Sequence, residues 1–75
     1  MDIQAFLEKM KEILDIEDRE LSMEDEFKSL DEWSSLASLS LIAMVDEEYE
    51  VTLSGDDIRN AVTVQDLFNL IKSKA

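Results

Sequence analysis

Seventy-five residues build one small domain, near the size at which a single core stabilises a fold by only about 3–5 kcal/mol. The chain has no cysteine and no histidine, which excludes disulfides, thiolate or imidazole metal ligands, a cysteine nucleophile and the usual general base near neutral pH. Seven Lys and Arg against nineteen Asp and Glu leave a net charge of −12, a field that repels nucleic acid and anionic lipid and attracts basic protein surfaces.

With no proline, one glycine (Gly55) and 45% hydrophobic residues, the expected elements are helices rather than short strands or a disordered acidic tail. Ile3, Phe6, Leu7, Met10, Ile13 and Leu14 follow the i, i+3, i+4, i+7 spacing of one helix face, so a first helix is predicted over Ile3–Leu14 with Asp2 as its N-cap. From Asp15 to Ser34 the periodicity fades into a long loop with isolated apolar anchors at Leu21, Met23, Phe27, Leu30 and Trp33. Within it, Ser22-Met23-Glu24-Asp25 has the form of a capping box and is expected to start one helical turn.

A second long helix is predicted from Ser34-Ser35 to Tyr49. Leu41, Val45 and Tyr49 should face the core, while Leu36, Leu39 and Ala43 make a neighbouring stripe. That second stripe is either buried in the bundle or a docking surface for another protein. Val51-Thr52-Leu53 then reads as extended, Ser54-Gly55 as a turn, and Asp56–Asn60 as a short third helix. Thr63 with Asp66 three residues on caps a last helix whose core face is Val64, Leu67, Phe68 and Ile71, with Lys72 and Lys74 near the negative end of its dipole. The fold expected is an all-α four-helix bundle, three main helices and one short one, with a long loop between the first and second helices, in a single domain over 1–75. No apolar run approaches the roughly 18–20 residues of a membrane span, and Met1-Asp2-Ile3-Gln4 is acidic and polar, unlike a signal-peptide start; the expected location is the cytoplasm.

Little site chemistry survives this composition. A nucleophilic serine would have only carboxylates or lysine as its base, and a carboxylate dyad would have little concave surface in which to raise one pKa, so no enzyme activity is expected. No metal site is expected either: Asp46-Glu47-Glu48 is a continuous helical run, and Ser54-Gly55-Asp56-Asp57 lacks the alternating ligand spacing of an EF-hand loop. What is left is a serine at the start of an acidic helix. Ser35 would sit where free backbone N–H groups and the positive end of the dipole favour an anion, such as a phosphate ester on its hydroxyl. Ser34 and Ser35 are equally readable as simple capping residues.

The segment from Leu30 through Trp33-Ser34-Ser35-Leu36 to Asp46-Glu47-Glu48-Tyr49, read together, resembles an acyl carrier protein. In that family an Asp-Ser-Leu motif opens the second helix, which ends in an acidic run and an aromatic residue; the Ser35-to-Tyr49 spacing, the short third helix and the Thr63-Val64 opening of the last helix also agree. The resemblance implies that 4′-phosphopantetheine is esterified to Ser35 and carries acyl groups as thioesters for fatty-acid or polyketide-type enzymes. It also implies that a phosphopantetheinyl transferase and acyl-transferring or condensing enzymes dock basic patches on Leu36, Leu39, Ala43, Asp46, Glu47 and Asp57 of a monomer. The sequence departs from the pattern at three places. Ser34 stands for the family's aspartate, a carboxylate used with Mg²⁺ in the modifying transferase, and its loss implies slow or absent modification. Ala37 and Ser40 stand where many relatives carry acids, and Glu50 where close relatives often have glycine. Two alternatives therefore stay open: a non-carrying helical interaction module, and a peptidyl or D-alanyl carrier.

Overall fold

The computed structural model describes residues 2–75, and among them the secondary structure is helical, with no strand. The first helix, α1, spans Ile3–Leu14, and Asp2 caps it by accepting the Gln4 N–H at 3.2 Å. Phe6, Met10 and Leu14, one helical turn apart, are its buried residues. The buried stripe is narrower than the apolar spacing suggested: Leu7 and Ile13 are half-buried and Ile3, at the end of the helix, is 44% exposed. After Leu14 the chain turns sharply. Asp15 takes a left-handed conformation (φ 57°), its N–H donates to the Glu12 carbonyl, and the Ile16 N–H donates to the Lys11 carbonyl, which ties off the last turn and buries Ile16.

The connection from Asp15 to Ser34 is long but anchored. Ile16, Leu21 and Phe27 are buried, Met23, Leu30 and Trp33 pack partly against the core, and the Trp33 ring meets Phe27 edge-on at 5.0 Å. Arg19 holds both carboxylate oxygens of Glu32 at 3.0 and 2.8 Å, joining the two ends of the segment. Its middle is stapled to the last helix by backbone hydrogen bonds, Val64 N–H to the Asp25 carbonyl and Gln65 N–H to the Met23 carbonyl. At Ser22 a single hydrogen-bonded turn forms: the Asp25 N–H donates to the Ser22 carbonyl at 3.2 Å and the Asp25 carboxylate accepts the Ser22 N–H at 2.9 Å. It does not run on into a helix, because Glu26 is extended; a separate 3₁₀ turn over Phe27–Ser29 sinks Phe27 into the core.

Helix α2 spans Ser35–Tyr49 and buries Ala37, Leu41 and Val45, again one turn apart. Its other apolar stripe faces outward: Leu36 is 73% and Leu39 64% exposed, and Ala43 is exposed as well. Tyr49 is only half-buried; its ring lies against Phe6, and its hydroxyl is shielded without a hydrogen-bond partner among the described residues, so burial raises its pKa above the usual phenol value. The third helix, α3, spans Gly55–Asn60. It starts one residue earlier than expected because Ser54 is its N-cap, in a reciprocal pair with Asp57. Helix α4 spans Val64–Lys74 and buries Val64, Leu67, Phe68 and Ile71. Its first turn leaves no N–H idle: Val64 and Gln65 donate to the long connection, Asp66 N–H to the Thr63 hydroxyl, and Leu67 N–H to the Thr63 carbonyl. The Asp66 carboxylate accepts the N–H groups of Thr63 and Val62, which hold its carboxyl below the usual range.

Glu50 ends α2 in the left-handed region (φ 56°), where its N–H donates to the Asp46 carbonyl. A side chain there clashes with its own backbone, and a carboxylate there also sits at the negative end of the helix dipole. Glu50→Gly should therefore stabilise the protein by about 1 kcal/mol, raising Tm by ~4–8 °C in a thermal melt followed by circular dichroism. A variant that melts at or below the wild-type midpoint would show that the unfolded-chain entropy of glycine outweighs the strain it removes.

Candidate functional site

The two serines at the start of α2 have separate roles. Ser34 is the cap: its hydroxyl accepts the Ala37 N–H at 3.2 Å and its carbonyl accepts the Ser38 N–H at 3.0 Å. Ser35, the first helical residue, is exposed, and its hydroxyl has no hydrogen-bond partner among the described residues. Capping therefore accounts for one serine and leaves the other unemployed by the fold.

Ser35 opens on a shallow depression between the start of α2 and α3. Trp33 and Ser34 form one side, Ser38 continues it one turn along α2, and Gly55, Ile58 and Arg59 of α3 form the other. The near wall is held by the edge-on packing of Trp33 on Phe27 and by the Arg19–Glu32 pair, whose hydrogen bonds hold the Glu32 carboxyl below its usual range. The far wall is held by the buried Ile58 and by the Ser54–Asp57 cap, where the Ser54 N–H and then Lys74, at 3.5 Å, depress the Asp57 carboxyl. No carboxylate lines the depression; Arg59 is its one ionisable residue. No carboxylate or lysine among the lining residues stands beside the Ser35 hydroxyl to activate it as a nucleophile.

The stripe Leu36, Leu39 and Ala43 runs from this depression along the exposed side of α2 toward Asp46 and Glu47, both exposed. No basic residue lies in the last turn of α2, so these acids face the negative end of the helix dipole without local compensation on their own helix. Lys9 of α1 pairs with Glu48 at 3.0 Å instead. Asp57 differs from the other candidate contacts: its carboxylate is occupied by the α3 cap and Lys74. Nothing in a one-dimensional pattern marks Arg59 of the short third helix as a neighbour of Ser35.

Residues 4–71 match the family model described as phosphopantetheine attachment site. The chain belongs to that family. The attachment domain is similar in fold to the solution structure of a holo acyl carrier protein from Geobacter metallireducens, with a TM-score of 0.78 and 22% identity over 95% of this chain and 82% of that one. No curated protein sequence matches the chain at a comparable level. Phosphopantetheine, covalently attached, is thus the cofactor of this domain. The residues around Ser35 fit such a group: the hydroxyl is exposed and unpaired, the neighbouring depression carries no negative charge, and the positive end of the α2 dipole favours a phosphate. When bound, the group supplies the thiol that a chain without cysteine lacks. Among the described residues no helix is long and apolar enough to cross a membrane, and no cluster of metal-ligating side chains occurs.

Proposed function

We propose that this carrier domain, over residues 1–75, bears 4′-phosphopantetheine on Ser35 and presents acyl thioesters to fatty-acid or polyketide-type enzymes in the cytoplasm, catalysing no step itself. The observation that carries this reading is the free hydroxyl of Ser35 beside a cap already filled by Ser34. The Ser34 cap and the helix dipole fix where the hydroxyl stands, while the absence of a neighbouring base leaves a loaded thioester unattacked. Partners read the face of α2: Leu36, Leu39 and Ala43 enter an apolar pocket, and Asp46 and Glu47 meet a basic patch, with Asp57 at the α3 end. Exposed leucines and acids placed against the helix dipole do little for folding, which favours recognition as the reason they are there.

The test is intact mass after incubation with coenzyme A, Mg²⁺ and a broad-specificity phosphopantetheinyl transferase. The wild-type chain should gain one phosphopantetheine and Ser35→Ala none, with an unchanged circular dichroism spectrum. A wild-type chain that never gains it, or an adduct that survives Ser35→Ala, would refute the assignment.

A further inference from the structure

We propose that Arg59 holds the phosphodiester that joins the arm to Ser35. The inference rests on the Ser35 assignment and deepens it. Three observations carry it. Arg59 is the one ionisable residue among those lining the depression that Ser35 opens on, in a chain whose net charge is −12. A phosphodiester placed there adds a negative charge to an already repulsive surface, and this guanidinium is the cation at hand to offset it.

The side chain is also engaged only weakly. Its Nη1 donates to Asp56 at 2.6 Å in a pair whose two side chains are each 75% exposed, the kind of contact that solvent screens. Arginine has five N–H donors in a planar fork suited to phosphate oxygens, and this pair uses one of its nitrogens. Nη2 lies along the bare Gly55 backbone, at ordinary contact distance (3.9 Å) from where a Cβ on Gly55 would stand.

The backbone beneath is fixed. Lys28, from the 3₁₀ turn, donates its Nζ to the Arg59 carbonyl at 2.6 Å, Ile58 is buried, and the Ala61 N–H closes the end of α3 on the Asp57 and Ile58 carbonyls. Arg59 therefore sets an exposed, weakly paired cation on a fixed base, able to exchange Asp56 for a phosphate. A phosphodiester at Ser35 can take both arms of the fork, whereas Asp56 is held through Nη1 alone, and the exchange leaves Asp56 in full solvent, where a carboxylate is well hydrated.

The experiment is a cycle of four proteins, apo and holo forms of the wild type and of Arg59→Gln, with the holo state made from coenzyme A and verified by intact mass. A merely structural role, pairing with Asp56, lowers the melting midpoint of apo and holo forms equally. The proposal requires a further loss of about 2–4 °C in the holo form only. It also requires the ³¹P phosphodiester resonance to shift and narrow in holo Arg59→Gln, and to move the opposite way in holo Asp56→Asn, where the competing carboxylate is gone. The wild type gives a reading without any substitution: the side-chain Nε–H signal of Arg59 should shift between apo and holo forms. Equal melting losses, or a ³¹P line and an Arg59 Nε–H signal indifferent to these changes, would overturn the proposal and leave the Ser35 assignment standing. Failure of the wild-type chain to load would overturn both.

Discussion

Phe6→Ala should remove most of the stability of this domain, lowering Tm by ~15–30 °C. Phe6 is fully buried and its ring is the junction of the bundle: it meets Tyr49 from α2 at 6.2 Å and Phe68 from α4 at 5.6 Å, both tilted. Truncation opens a cavity between three helices and forfeits two aromatic contacts, a loss of about 3–5 kcal/mol. Set against the roughly 3–5 kcal/mol that a core of this size supplies, that loss leaves a large part of the ensemble unfolded at physiological temperature. Leu39→Ala is the comparison. Leu39 is as apolar but exposed, and its loss should move Tm by no more than a few degrees while weakening partner binding. Thermal melts by circular dichroism separate the two; a Phe6→Ala midpoint close to the wild type would mean that Tyr49 and Phe68 close over the gap.

That contrast also marks what could be read in the chain without coordinates. Periodicity and caps act within one turn of helix, so Asp2, Ser34 and Thr63 announced three of the helix starts, and the four core residues of α4 were visible as a spaced set. The Ser54–Asp57 cap uses the same local chemistry but was hidden by Gly55, which suggested a turn instead of a first helical residue. Burial along α1 is narrower than the spacing implies, because spacing reports a face and not how far its partners extend, and Ile3 stays exposed. The staple between Met23, Asp25 and the start of α4 involves backbone groups that every residue has, so it leaves no trace in residue identity. The turn at Ser22 is legible because its cap closes within four residues, whereas the 3₁₀ turn that buries Phe27 answers to a tertiary contact and has no local pattern. At the site, family likeness pointed to Ser35, but a choice between capping and anchoring for Ser34 and Ser35 needed the hydrogen bond to Ala37, and Arg59 needed the packing of α3 beside α2.

Ser34→Asp should raise the rate of phosphopantetheine loading by about tenfold or more at limiting Mg²⁺, with little change in fold. Aspartate is as good an N-cap as serine, so one oxygen can take over the Ala37 N–H that Ser34 now holds at 3.2 Å, and its charge suits the positive end of α2. The second oxygen is then free beside the Ser35 hydroxyl. Mg²⁺ is held typically by one or two carboxylates together with substrate phosphates, and coenzyme A brings the phosphates, but no carboxylate lines this depression in the natural sequence. Ser34→Asn isolates the charge, since it caps equally well and offers no carboxylate. In a time course of intact mass, Asp should accelerate loading and reduce the Mg²⁺ needed, while Asn stays at the wild-type rate. Equal acceleration by both would assign the effect to the helix cap, and no acceleration by either would mean that the transferase holds the metal without help from residue 34. In the expected case, Ser34 acts as a brake on modification that leaves the fold intact, because the cap needs only an oxygen whereas the metal needs a charge.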